Sequence, residues 1–205
     1  QLTFCSSRSD MDFLPCVFVV LLAYLAGSLS FAVIVSRCLG LSDPRSYGSG
    51  NPGATNVLRT GSKPAAFATL VLDGAKGAIA ALIARAVAGE DAAQVAGLMA
   101  LIGHCYPIWL KFNGGKGVAT FLGLLLALSL PIGTACCATW VAIAALKRIS
   151  SLAALAAAGT STFWMTLLGY SEGFVMGVIL TTLIFWRHRS NITRLRAGTE
   201  PKIGA

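Results

Sequence analysis

Apolar runs of about twenty residues, each closed by a short polar segment, recur along this chain and limit its fold more than any other feature. A run of that length crosses the hydrocarbon core of a bilayer as a helix, the one open segment that satisfies its own backbone there. Such runs cover roughly residues 13–36, 64–87, 92–110, 152–168 and 173–186. Residues 118–146 are also apolar, but Pro131 and Gly133 split them. They fall short of the roughly 40 residues that two full crossings need. That stretch reads as a pair of short helices or a re-entrant hairpin.

Composition closes off the other classes. Only 12% of residues are charged and 56% are hydrophobic, against about 25% charged in a soluble domain. Disorder needs low hydrophobicity and is excluded. A nucleic-acid binder carries its basic residues as a stripe on a polar surface, whereas here they punctuate apolar runs. The six cysteines, Cys5, Cys16, Cys38, Cys105, Cys136 and Cys137, form no CxxC pair and have no His at zinc-ligand spacing, so they read as small hydrophobes.

The net charge of +8 is one-sided. Arg37, Arg45, Arg59 and Lys63 lie in the first long loop, Lys111 and Lys116 in the next, Lys147 and Arg148 in a third, and Arg187, Arg189, Arg194, Arg196 and Lys202 in the tail. The intervening turns carry Glu90, Asp91 and Glu172, and Asp10 and Asp12 outweigh Arg8 at the start. The positive-inside rule puts the N-terminus outside and the C-terminus in the cytoplasm. Keeping Lys116 and Lys147 on one side requires an even number of crossings between them, so spans four and five form a short hairpin. The expected architecture is an all-α integral membrane protein, a seven-span helical bundle. Residues 11–205 form its single domain, and residues 1–10 are a disordered or non-native extension before a start at Met11.

Four polar segments that could carry chemistry lie on the cytoplasmic side. Gly48-Ser49-Gly50-Asn51-Pro52-Gly53-Ala54-Thr55-Asn56, preceded by Arg45, suits an anion-binding nest with neutral donors and a guanidinium fork. The alternative is a flexible surface loop. Gly114-Gly115-Lys116-Gly117 runs into a helix, where amide groups and a lysine favour an anion; a tight turn with a snorkelling Lys is the plainer reading. It lacks the Walker A spacing. His104 in Gly103-His104 is either packed or functional. Ser150-Ser151 can serve as a helix cap. His188 and Asn191 share a face if the last helix continues, or belong to a lipid-binding tail. Asp73 and Lys76 stand inside the membrane three residues apart, where ionisable groups default to function; they brace the floor of a site or contact substrate.

These segments, together with Asp73-Gly74-Ala75-Lys76-Gly77, Lys116-Gly117-Val118-Ala119-Thr120 and Ala197-Gly198-Thr199-Glu200-Pro201, closely resemble the bacterial acyl-phosphate–glycerol-3-phosphate acyltransferase family. The resemblance covers nearly the whole chain from about residue 13. It implies a multi-pass enzyme of the bacterial inner membrane, its active site facing the cytoplasm and acting as a monomer. The enzyme would move a fatty acyl group from acyl phosphate to the 1-hydroxyl of glycerol 3-phosphate, with no metal, no cofactor and no acyl-CoA or acyl carrier protein as direct donor. By position it implies catalytic roles for Arg45, Lys116, Ser151, His188 and Asn191. Substrate contacts would come from Ser28, Ser49, Gly50, Asn51, Asn56, Asp73, Lys76, His104, Gly114, Gly115 and Gly117. The family usually has Pro where Ser30 stands, which leaves a looser helix end beside Ser28. No His is followed four residues later by Asp, since Ile108 and Ile192 occupy those places. The hydroxyl proton therefore goes to the donor phosphate or to His188. A transporter for an anionic metabolite and a non-catalytic lipid scaffold are the rival readings; the first lacks a repeat, and the second leaves both glycine loops unexplained.

Overall fold

The computed structural model describes residues 8–204, with side chains described from Val17. Most of the expected extension over residues 1–10 lies outside the described residues. All regular structure among them is helical: α1 (Arg8–Gly27), α2 (Phe31–Cys38), α3 (Ala54–Val57), α4 (Lys63–Cys105), α5 (Val118–Leu128), α6 (Leu130–Lys147), α7 (Ser150–Leu167), α8 (Phe174–Arg187) and α9 (Arg189–Arg196).

α4 is a helical hairpin rather than one rod. Gly89 takes φ +84° and ψ −167°, a conformation open to a residue without Cβ, and the chain turns back on itself there. Asp73 on the first arm consequently comes within 3.5 Å of His104 on the second. Ala80, Ala84, Ala96 and Ala100 pack between the arms. Small residues let membrane helices approach closely where no hydrophobic force drives them together. The same device joins neighbouring helices. A Cβ on Gly123 would lie 2.1 Å from the Gly74 carbonyl oxygen, and one on Gly27 would lie 2.2 Å from that of Ala100. Arg85 secures the hairpin tip by pairing with Glu90 at 2.7 Å and donating to the Ala127 and Leu128 carbonyls at 2.7 and 3.0 Å.

α5 and α6 form the expected hairpin, reversing at the extended Ser129. Pro131 falls in the first turn of α6, where a missing N–H costs nothing, so it starts a helix instead of breaking one. The arms are unequal. With 11 residues, α5 is about 17 Å long, roughly half the hydrocarbon thickness. Its far end meets Arg85 at the hairpin tip, so its N-terminus and the preceding loop are sunk in the bundle.

The segment Lys63–Leu110 and the helix Leu130–Lys147 are each long and apolar enough to cross a membrane, and Val17–Gly27 with Phe31–Cys38 qualifies jointly across a 46° bend. That bend corrects the expectation of one continuous first span. The chain unwinds at Ser28–Ser30, freeing the Leu29 carbonyl, which accepts from Lys76 Nζ at 2.7 Å. The lysine thus caps the broken helix from inside the bundle. The outer surface is apolar, with Phe18, Phe67, Val141 and Val175 exposed, whereas Asp73, Lys76, His104, Ser151, His188 and Asn191 are buried. Cys105 and Cys136 are buried free thiols in the main core.

Candidate active site

A cavity of about 810 Å³ opens between the first long loop, the first arm of α4, the α5–α6 hairpin and the tail. One end is polar, lined by Ser49, Asn51, Arg59, Lys116, His188 and Arg194. The other is an apolar groove formed by Phe67, Leu70, Val71, Leu122, Leu126 and Trp140. Phe67 is 68% exposed and Val141, another lining residue, is 60% exposed on the outer apolar surface. The groove therefore opens sideways onto the face that would meet lipid. Five cations line the cavity, Arg59, Lys63, Lys116, Arg194 and Lys202, against the carboxylates of Asp73 and Glu200.

Beneath the polar end lies a buried ion pair. Lys76 Nζ stands 2.9 Å from Asp73 Oδ1, with His104 Nδ1 at 3.5 Å from the same oxygen. Thr120 Oγ1 donates to the Asp73 carbonyl at 2.8 Å and lies 3.2 Å from His104 Nδ1. The group ties both arms of α4 to the start of α5, and Lys76 adds the break after α1. Asp73 and His104 reach the cavity wall; Lys76, spent on Asp73 and Leu29, stands behind it.

The tail builds the upper layer. α8 ends at Arg187 and α9 begins at Arg189, but the Ile192 N–H still donates to the His188 carbonyl at 2.9 Å. His188 and Asn191 therefore face inward together, both buried. Lys116 Nζ donates to Asn191 Oδ1. Asn191 in turn donates to Glu200 Oε1, as does Ser151 Oγ at 2.7 Å, and Arg194 Nε reaches Glu200 Oε2 at 2.7 Å. Burial would raise the Glu200 carboxyl, but the bonds from Ser151, Asn191 and Arg194 outweigh it and hold the group below its ordinary range. Burial pushes the Lys116 ammonium down to about 8; Glu200 opposes this, and Arg194, Arg187 and Arg59 add to it. Lys116 is still mostly charged at pH 7. Burial likewise pushes His188 down to about 4, against the pull of the Ile184 carbonyl. The ring is neutral at pH 7. Because the Ile184 carbonyl at 2.8 Å can only accept, Nδ1 carries the proton and Nε2 the lone pair.

The first loop is organised by Asn56. Its Oδ1 accepts from the Ser49 N–H at 3.1 Å, and its Nδ2 donates to the Pro44 and Tyr47 carbonyls at 2.6 and 3.2 Å. These bonds hold Ser49 and Asn51 at the cavity wall. Gly50, at φ +65°, makes the turn and does not line the cavity. The guanidinium expected at the site from Arg45 comes instead from Arg59. Arg45 is half exposed and clamped by Asp43 at 2.6 Å, away from the lining. Arg59 follows α3 in the short turn Leu58–Thr60 and reaches back over Gly48, where a Cβ would meet its Nη1 at 2.7 Å.

The Gly114–Gly117 loop departs from the amide-lined anion site that was one of its two readings. The Gly114 and Gly115 N–H groups donate to the Cys105 and His104 carbonyls at 3.3 and 3.1 Å, so they are not aimed at a ligand. Both positions need glycine for packing: a Cβ on Gly114 would lie 2.2 Å from the His104 carbonyl oxygen, and one on Gly115 2.1 Å from His104 Nε2. Gly117, at φ +82°, does line the cavity and starts α5. Ser151 is no helix cap, since Ile149 holds that place and the hydroxyl serves Glu200. Ser28 donates to the Tyr24 carbonyl at 2.9 Å and lies buried behind the wall against Gly103. Among the described residues no group of three or more His, Cys, Asp or Glu could hold a metal ion.

Sequence reasoning missed Arg59, Arg194 and Glu200. Nothing distinguishes Arg59 from the other basic residues of its loop until the loop is folded. Glu200 had a signal, as the one acid in an otherwise basic tail.

A profile of the family described as "Glycerol-3-phosphate acyltransferase" matches residues 17–198. The glycerol-3-phosphate acyltransferase of Ruegeria pomeroyi is 62% identical over 193 residues, covering 93% of this chain and 95% of the relative. That of Cereibacter sphaeroides is 58% identical over 195 residues, covering 95% and 93%. Among solved structures, the glycerol 3-phosphate form of PlsY, an integral membrane glycerol 3-phosphate acyltransferase, superposes with a TM-score of 0.88 at 38% identity, covering 93% of this chain and 96% of that one. Its lysophosphatidic acid form gives 0.86 at 37%, with the same coverage.

Proposed function

The chain belongs to the glycerol-3-phosphate acyltransferase family, and from that premise we propose that it transfers a fatty acyl group from acyl phosphate to the sn-1 hydroxyl of glycerol 3-phosphate. The products are lysophosphatidic acid and inorganic phosphate, and neither acyl-CoA nor acyl carrier protein is the direct donor. The two-ended cavity carries this reading. Its cationic end suits two phosphates, and its apolar groove, open toward lipid, suits one acyl chain. A volume of about 810 Å³ lies within the roughly 300–1,000 Å³ of small-molecule sites. The related PlsY structures in glycerol 3-phosphate and lysophosphatidic acid forms support the same acceptor and product.

Acyl phosphate is a mixed anhydride with a good leaving group, so the protein has chiefly to hold two anions together and stabilise the oxyanion. The acceptor hydroxyl oxygen attacks the acyl carbonyl carbon. Charge gathers on the carbonyl oxygen, the carbon–oxygen bond to phosphate then breaks, and the hydroxyl proton leaves with that phosphate. Lys116, Arg59 and Arg194 offset the repulsion between the anions, with Asn191 orienting Lys116 and Ser49 and Asn51 adding neutral donors. His188, held neutral and weakly basic, donates no charge and accepts through Nε2. Its depressed basicity favours the donor phosphate as proton acceptor.

We assign seven passes: α1 with α2, the two arms of α4, and α5 to α8 in turn. The N-terminus lies outside and the C-terminus in the cytoplasm of a bacterial inner membrane. Support comes from the basic residues, which gather at the cavity end of the bundle. The protein acts as a monomer in this reading, because one chain supplies both the cationic end and the apolar groove of the cavity. The test is the protein reconstituted in vesicles with palmitoyl phosphate and glycerol 3-phosphate. Lysophosphatidic acid and phosphate should appear in equal amounts; no product, where a known acyltransferase works, would refute the reading.

A further inference from the structure

Arg187 is a cation beside an anion site that nevertheless turns away from it. It stands one residue before His188 and is absent from the cavity lining. Its Nη2 donates to the Gly114 carbonyl at 2.9 Å and its Nε to the Gly115 carbonyl at 3.1 Å. The guanidinium carbon lies 4.9 Å from the centre of the Tyr106 ring. Tyr106 is itself held, because its carbonyl accepts from Tyr24 Oη at 3.0 Å.

The two glycines are therefore gripped from both sides. Their N–H groups are bonded to the end of the second α4 arm, and their carbonyls to the end of α8. The next residue is Lys116, whose ammonium reaches Asn191, four residues beyond Arg187. We propose that Arg187 is a positioning residue that fixes the Gly114–Gly115 peptides and so sets where Lys116 enters the cavity relative to His188 and Asn191. This rests on the reading of Lys116 as a phosphate anchor. A guanidinium suits the task because it is planar, donates two hydrogen bonds in a fixed fork and stacks on an aromatic ring; an ammonium is a point charge that cannot do all three. Without the fork, two carbonyls lose their donor, and the glycines keep only their N–H bonds to the Cys105 and His104 carbonyls and their packing against His104.

The fork and the charge separate cleanly in Arg187→Lys, which keeps the charge, and Arg187→Ala, which removes both. Amide hydrogen exchange is followed in the reconstituted protein for the peptide covering residues 111–117, with the α4 hairpin as internal reference. Both variants should exchange faster there, with the reference unchanged. In steady-state assays with palmitoyl phosphate, Arg187→Lys should raise the KM for glycerol 3-phosphate on the order of tenfold while kcat changes less than about threefold, the mark of lost ground-state anchoring. Wild-type exchange and wild-type KM in Arg187→Lys would overturn the proposal. If Arg187→Ala does not fold, Arg187→Lys decides alone. The exchange readout needs no turnover, so an inactive wild-type protein would count against the proposed reaction, while loop exchange would still decide the role of Arg187.

Discussion

Replacing Lys76 by Met should cost stability far more than it costs the chemistry. Met keeps the length of the stem and removes only the charge and its donors. What remains is the Asp73 carboxylate, 2% exposed, without its 2.9 Å partner, and the Leu29 carbonyl without the donor at 2.7 Å. Breaking a buried pair from one side costs about 3–5 kcal/mol, and orphaning a buried carbonyl about 1–3 kcal/mol. The two overlap, so a net loss of about 4 kcal/mol is expected. A chain of this size loses about 2–4 °C of Tm per kcal/mol, which gives a fall of about 8–16 °C. The double variant Asp73→Asn with Lys76→Met removes the stranded charge and should recover about half of that. Thermal unfolding in detergent, followed by tryptophan fluorescence, measures all three proteins, and turnover is measured well below each transition. If Lys76→Met unfolded within about 2 °C of wild type yet lost turnover a hundredfold, Lys76 would be a substrate ligand and the bracing argument would fail.

The Lys116 ammonium, pushed down to about 8, is charged below that pH and loses its charge as pH rises through it, so the KM for glycerol 3-phosphate should climb above pH 8. Lys116→Arg, which does not titrate, should flatten that climb in a KM-against-pH series. Arg59→Ala should lower kcat/KM on the order of a hundredfold, whereas Arg45→Ala, which releases only Asp43, should stay within about threefold; equal losses in parallel assays would contradict the assignment. His188→Gln should keep turnover within about tenfold, and a loss near a thousandfold would restore His188 as the base. Gly123→Ala places a Cβ 2.1 Å from the Gly74 carbonyl oxygen, an overpacking cost of about 1–3 kcal/mol, readable as a lower Tm.

Helices buried in lipid announce themselves through length and apolarity, so most segments of the bundle were legible before the fold was seen. The breaks were harder to read. The bend at Ser28–Ser30 had one local signal, the Ser30 that loosens the helix end, but its partner Lys76 lies 47 residues away and could not be read from it. Gly89 did announce its turn, through the adjoining Glu90 and Asp91. At the site, Lys116, His188 and Asn191 were legible because polar residues are rare in such a chain, and the structure joins them in one cluster. Arg45 and Arg59 were indistinguishable by charge; Asp43 beside one and Gly48 beneath the other decide which guanidinium faces the cavity. The glycine loop stayed open to two readings for a related reason. Glycines leave room either for a ligand or for a neighbouring part of the protein; at Gly114 the occupant is the His104 carbonyl with the Pro107 ring, and at Gly115 the His104 ring.

Donor identity is the sharpest discriminator, because the proposed site takes an acyl chain from the membrane with only a phosphate as its head. Reconstituted protein is given glycerol 3-phosphate with either palmitoyl phosphate or palmitoyl-CoA at equal concentration, and lysophosphatidic acid is measured. Product is expected from palmitoyl phosphate and none above background from palmitoyl-CoA. Equal rates from the two donors would contradict the proposed donor.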